Sequence, residues 1–198
     1  MNLSEKTDQD LVRLCLRGDE RAARELVSRF ERPVFSIIFR IVRDRELAED
    51  LSQETFVRTF NHLHRYDDSY RFSSWLFKIA YNLTVDHLRR KRLDTVSMHG
   101  APDAVSAESR EATSFEVPAT TERPDARVES VELAGEMEAA IARLRPEYRT
   151  AVLLRHVEGR AYEEIAEIMD IPLGTVKTYI FRARRELRAS LGHLVEEE

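Results

Sequence analysis

The chain has 198 residues, enough for one or two small domains, of which 42% are hydrophobic and 34% charged. Six glycines and six prolines are few for an all-β protein, and one cysteine, Cys15, excludes an internal disulfide. A formal net charge of −5 argues against a protein that coats nucleic acid indiscriminately, but it leaves local basic patches open.

Met1 to Asp8 carries no basic-then-apolar signal pattern, and no stretch is long and apolar enough to cross a membrane. The expectation is a cytosolic protein with Cys15 as a small core residue. Asp8 to Arg17 reads as a short amphipathic helix, with Leu11, Leu14 and Cys15 on one face. Gly18 ends it, and Asp19 suits the N-cap of the next helix. That next helix runs from Glu20 to about Val42, its apolar residues Ala22, Ala23, Leu26, Val27, Phe30, Val34, Ile37, Ile38 and Ile41 repeating at threes and fours. Pro33 should kink or split it.

Asp44 to Leu63 gives another helix, with an apolar face expected at Leu47, Leu51, Phe56, Phe60 and Leu63. Its other face holds Glu46, Glu49, Asp50, Gln53, Glu54 and Asn61, which a solvated helix would carry without any function. Arg65 to Ser74 reads as a loop rich in aromatics and arginine. Such aromatics must tuck into the core or stack on something, and unpaired bases are one such partner. Trp75 to Arg92 is a helix with Leu76, Ile79, Ala80, Leu83 and Leu88 inward. Lys78, Asn82, Asp86 and Arg89 form a polar stripe along it. The run Arg89 to Arg92 suits the negative end of the helix dipole, but four consecutive bases exceed that need and point to phosphate contact.

Composition changes at Asp94. Residues 94–130 hold eight acids (Asp94, Asp103, Glu108, Glu111, Glu116, Glu122, Asp125 and Glu129) against Arg110, Arg123 and Arg127, with three prolines and no apolar period. This reads as a flexible acidic linker. Helical period returns from Val131 to Leu144, and Pro146 opens a further helix that stops at Gly159.

Two short helices follow. Ile165, Ala166 and Met169 mark one face of the first. Asp170-Ile171-Pro172 breaks it, since proline lacks an N–H and Asp tolerates left-handed backbone. The second begins near Gly174-Thr175 and buries Val176, Ile180, Ala183 and Leu187. Lys177, Thr178, Phe181, Arg182 and Arg185 remain on its outer face. This is a helix-turn-helix pattern with a basic second helix. Taken alone, it also fits a plain helical hairpin with a solvated basic face. No Gly-rich phosphate loop, metal-spaced Cys/His cluster or nucleophile motif occurs, and His62 and His64 point to different sides of a helix.

Two separated stretches resemble one family, the bacterial sigma factors of the extracytoplasmic-function (ECF) subgroup. The first is Ala48-Glu-Asp-Leu-Ser-Gln-Glu-Thr-Phe56 followed by Trp75-Leu-Phe-Lys-Ile-Ala-Tyr-Asn-Leu-Thr-Val-Asp-His-Leu-Arg-Arg90. The second is Leu144-Arg-Pro-Glu-Tyr-Arg149 with Tyr162-Glu-Glu-Ile-Ala166, Gly174-Thr-Val-Lys-Thr178 and Phe181-Arg-Ala-Arg184. The resemblance implies an all-α chain: residues 1–93 as sigma domain 2, 94–130 as the flexible acidic linker and 131–198 as sigma domain 4. Its implied partners are core RNA polymerase, through the β′ coiled coil and the β flap, promoter DNA, and an anti-sigma factor; it implies no cofactor, no catalytic residue and no metal. Asp50, Gln53, Glu54 and Phe56 would dock on polymerase. Arg65, Tyr70, Arg71, Lys78, Asn82, Asp86, Arg89 and Arg90 would read and melt the −10 element. Thr175, Lys177, Thr178, Phe181, Arg182 and Arg185 would read the −35 element in the major groove. The acidic linker would thread polymerase toward its RNA path.

Two departures stand out. The family commonly places Ser where this chain has Ala161, a lost cap worth about 1 kcal/mol. It has Asp170 where such turns often place Gly. A lone duplex-binding repressor would leave the loop aromatics, the Asp50–Phe56 surface and the linker unexplained. An enzyme acting on nucleic acid would lack any acid–base, nucleophile or metal constellation.

Overall fold

The computed structural model describes residues 2–98 and 124–192, and every regular element among them is helical. In order they are α1 (Asp8–Leu16), α2 (Glu20–Val42), α3 (Arg45–Asn61), α4 (Phe72–Met98), α5 (Pro124–Arg143), α6 (Pro146–His156), α7 (Tyr162–Met169) and α8 (Leu173–Leu191), with one-turn 3-10 helices at Leu3–Glu5 and Leu63–Arg65. Most of the segment read as an acidic linker lies outside the described residues.

Local chemistry sets most of the boundaries. The Thr7 hydroxyl accepts the Asp10 N–H at the start of α1, Asp19 accepts the Arg21 N–H at the start of α2, and Asp44 accepts the Leu47 N–H at the start of α3. Gly18 and Gly159 both take positive φ where helices end. Arg43 does the same without being glycine, φ 57°, closing α2 through its N–H to the Phe39 carbonyl at 2.7 Å.

Four sequence expectations change. Helix α2 continues through Pro33, held along its length by buried Leu26, Val34, Ile37, Ile38 and Ile41. Helix α4 starts three residues earlier than the Trp75–Arg92 expected and runs six further, because nothing that breaks a helix occurs between Leu93 and Met98. Helix α5 likewise starts at Pro124, where proline's fixed φ suits a first turn.

The fourth change is the inner face of α3. Its buried residues are Ala48, Leu51, Ser52, Thr55 and Thr59, while Leu47, Phe56 and Phe60 are half-buried flanks. The hydroxyls that look polar in the sequence are satisfied inside the helix: Ser52 donates to the Ala48 carbonyl, Thr55 to Leu51 at 2.7 Å and Thr59 to Thr55 at 2.7 Å. Small, internally bonded side chains let α3 lie close against α2 and α4.

The two halves share one apolar core. Leu11, Leu26, Ile38, Phe72, Leu76 and Phe77 from the N-terminal helices are continuous with Ala151, Leu154, Ile165, Ile168 and Val176 from the C-terminal ones. Helix α4 packs on α7, and α2 on α6. A second cluster of Leu144, Tyr148, Val152 and Ala183 holds α8 against α6.

Candidate nucleic-acid interface

The C-terminal candidate surface is built on the turn between α7 and α8. Asp170 adopts left-handed backbone, φ 54° and ψ 48°, which reverses the chain without glycine. Helix α8 begins at Leu173, a residue earlier than the sequence suggests, because the Pro172 carbonyl accepts the N–H groups of both Thr175 (2.8 Å) and Val176 (3.2 Å). The missing serine cap at Ala161 is offset from the other side: the Glu164 carboxylate accepts the Ala161 N–H at 2.8 Å.

Val176, Ile180 and Ala183 anchor α8 in the core. The opposite face is open: Lys177, Thr178, Phe181, Arg182 and Arg185 are exposed, and Thr175 is half-buried. Phe181 leaves 67% of its surface in water, a large apolar side chain with no fold role, set among three cations. One exposed apolar ring amid basic side chains on a helix is what a major groove accepts, phosphates for the cations and thymine methyl groups for the ring. Arg182 is not free: its Nη1 donates to the Tyr148 hydroxyl at 3.1 Å.

The N-terminal candidate surface surrounds the start of α4. The aromatics of the 65–74 stretch divide into two roles. Tyr66 and Phe72 tuck inward with Trp75 and Phe30, ring centroids 5.4 to 6.1 Å apart, and form a small aromatic cluster. The Tyr66 hydroxyl donates to the Tyr70 carbonyl, and Asp67 accepts the Ser69 N–H, so the loop has a fixed shape. Tyr70 is 52% exposed, and Arg65 and Arg71 of the same stretch are exposed as well. Along α4, Lys78, Asn82, Asp86 and Arg89 line one side, and Asp86 pairs with Arg89 at 3.1 Å. Arg90 is exposed beside them.

A third surface lies on α3. Asp50, Gln53 and Glu54 share an outward stripe, and Glu54 pairs with Arg58 at 2.6 Å. Phe56 leans to the core side of that stripe, half-buried. The sequence reading omitted Val57, which is 54% exposed in the middle of the surface. Its spacing of seven from Asp50 and four from Gln53 was the available signal.

The structure brings the first two surfaces together. Glu164 of α7 accepts a hydrogen bond from the Ser74 hydroxyl at 3.1 Å and lies 3.6 Å from Arg71. Arg160 donates to the Ser73 hydroxyl at 2.6 Å and stacks 5.0 Å over the Phe77 ring. Lys78 reaches Asp170 in the helix-turn-helix turn at 3.6 Å. Burial pushes the Glu164 carboxyl upward, but the Ala161 N–H, the Ser74 hydroxyl and the two arginines outweigh it, so its pKa lies below the ordinary value. Farther along, Arg149 of α6 caps the end of α2 through the carbonyls of Arg40 and Ile41 at 3.2 and 3.1 Å. No group of three or more metal-ligating side chains exists among the described residues.

An all-helical chain with a basic helix-turn-helix in one half and a second polar, aromatic-flanked helix in the other has the architecture of a DNA-binding protein. The comparisons with known proteins give its family. Residues 26–93 match Sigma-70 region 2, and residues 134–187 match Sigma-70, region 4. The chain is 34% identical to the ECF RNA polymerase sigma factor SigW of Bacillus subtilis over 90% of its own length and 93% of that protein's. It is also 34% identical to the RNA polymerase sigma-H factor of Pseudomonas aeruginosa, over 98% and 99% of the two lengths. Among solved structures, the sigma factor RpoE of Bartonella quintana, in complex with the anti-sigma factor NepR, superposes with a TM-score of 0.64 at 19% identity, covering 85% of this chain and 96% of that one. The chain belongs to the ECF sigma factors, which bind core RNA polymerase and direct promoter-specific initiation of transcription.

Proposed function

We propose that this sigma factor assigns its three surfaces as the family resemblance implies: α3 docks on core polymerase, the α4 surface reads and opens the −10 element, and α8 reads the −35 element. The observation that carries this reading is the open face of α8, where Phe181 and its neighbouring cations are left in water while Val176, Ile180 and Ala183 on the other side pack into the core. Asp50, Gln53, Glu54 and Val57 form the docking stripe, with Phe56 setting its edge. Tyr70, flanked by Arg65 and Arg71, stacks on a base drawn out of the duplex, and such stacking contributes about 1–3 kcal/mol per base. Lys78, Asn82, Asp86, Arg89 and Arg90 track the strand beyond it. The protein performs no chemistry itself and works in the cytoplasm.

The packed arrangement cannot engage both elements at once. Promoter elements about 25 base pairs apart lie about 85 Å apart along B-form DNA. Here Lys78 of the −10 surface sits 3.6 Å from Asp170 of the −35 motif. The α4–α7 contact opens when polymerase takes up the chain, and an anti-sigma factor that clamps both halves would keep it closed.

The test is run-off transcription with core polymerase, with and without the protein, on a pool of the source genome's promoters. Transcripts that depend on the protein, and that are lost with Arg182→Ala while polymerase binding persists, support the assignment. A footprint on duplex DNA without polymerase, and no transcripts with it, would replace it with a repressor reading.

A further inference from the structure

Arg182 sits on the exposed face of α8, yet it is tied to a residue of another helix that does not itself reach that face. Tyr148 lies in the first turn of α6, 6% exposed. Its ring is fixed by Leu144, Val152 and Ala183 and by the Tyr179 ring, with centroids 5.2 Å apart. Its hydroxyl lies at the edge of this cluster and accepts from Arg182 Nη1 at 3.1 Å. A buried ring cannot swing, so the hydroxyl is a fixed point. An arginine side chain otherwise explores many rotamers, and holding it in one is a cost that DNA binding must meet. With Nη1 engaged, the Nε and Nη2 edge remains for a two-point contact with a base, the geometry by which arginine distinguishes guanine.

We propose that Tyr148 is a positioning residue for promoter recognition, holding the Arg182 guanidinium in the orientation that reads one base pair of the −35 element. The inference rests on the assignment of α8 to that element. Tyr148 touches no DNA and acts only through Arg182. Arg182 is held in the reading orientation before DNA arrives, so discrimination rises without an added contact.

The test uses holoenzyme assembled from the full chain and core polymerase. Wild type, Tyr148→Phe, Arg182→Ala and the double variant are each measured on promoters carrying all four base pairs at every −35 position. Tyr148→Phe deletes one oxygen and keeps the ring, and its melting temperature and polymerase affinity should match wild type. Arg182→Ala should lower discrimination at one position about 5- to 150-fold. Tyr148→Phe should lower it at that same position about 3- to 10-fold and leave the other positions unchanged. In the Arg182→Ala background it should have no further effect. A clear Arg182→Ala effect with unchanged discrimination in Tyr148→Phe overturns the proposal. So does a Tyr148→Phe loss spread evenly over all positions, which would indicate packing alone. If Arg182→Ala changes no position, the assignment of α8 fails and the proposal falls with it.

Discussion

Arg149→Met should unfasten the two halves of the molecule from each other. The Arg149 side chain is 7% exposed and donates five hydrogen bonds, all to backbone carbonyls. Three belong to the end of α5 and the turn after it: Ile141 at 3.1 Å, Leu144 at 2.9 Å and Ala142. Two belong to the end of α2, Arg40 and Ile41. Burial, with some repulsion from Arg43, pushes its pKa down to about 10, which leaves it charged at neutral pH. One cation thus caps the C-termini of two helices, where the last carbonyls lack the next helical turn. Methionine keeps most of the apolar stem and removes every donor. Breaking a buried charged network from one side costs about 3–5 kcal/mol. For a chain of this size that is a fall of about 6–20 °C in melting temperature. Urea unfolding should be followed by far-ultraviolet circular dichroism for all helices and by fluorescence of Trp75, the single tryptophan, packed between Tyr66 and Phe72 in the N-terminal half. The two signals should coincide in wild type. In the variant the dichroism midpoint should fall below the Trp75 midpoint, because the C-terminal half loses three of the five bonds. A loss under about 1 kcal/mol would mean that water replaces the guanidinium, and the capping argument would be wrong. A Trp75 transition that leads the other would refute the placement of the damage.

Gln53→Ala combined with Glu54→Ala should weaken binding to core polymerase while duplex −35 recognition persists; unchanged affinity for core would sink the docking assignment. Glu164 carries an acid dependence whose sign follows from its lowered pKa: its stabilising contribution is present above pH 4.5 and is lost as pH falls below that value. Glu164→Gln should flatten the pH profile of the urea midpoint in that range, and an unaltered profile would show that Glu164 is not the group responsible. Burial, followed by the charge of Asp19, raises the Cys15 thiol from 9.0 to about 11. Its thiolate fraction at pH 7 is therefore about 100-fold below that of the unfolded chain. Iodoacetamide should alkylate it about 100-fold more slowly in buffer than in urea, and equal rates would contradict its half-buried position.

Much of this protein is legible in its sequence because the information is local. Helix period, the cap Asp19, and the breakers Gly18, Gly159 and Asp170-Ile171-Pro172 act within a few residues, and each sits at or near the place where an element starts or stops. The outer face of α8 follows from the same period, since whatever Val176, Ile180 and Ala183 do not bury must face outward. What the sequence misjudged depended on neighbours. The inner face of α3 is lined by Ser52, Thr55 and Thr59, polar by type but silenced by bonds to carbonyls four residues back, and only close packing against α2 and α4 reveals them as core. The aromatics near residue 70 look alike in a string of letters; tertiary contacts divide them into a buried cluster and one exposed tyrosine. Three long-range links were decided by the fold alone: Tyr148 to Arg182, Arg149 to the end of α2, and Glu164 to Ser74. Each joins residues at least 34 positions apart in the chain, and no period or cap rule reaches that far.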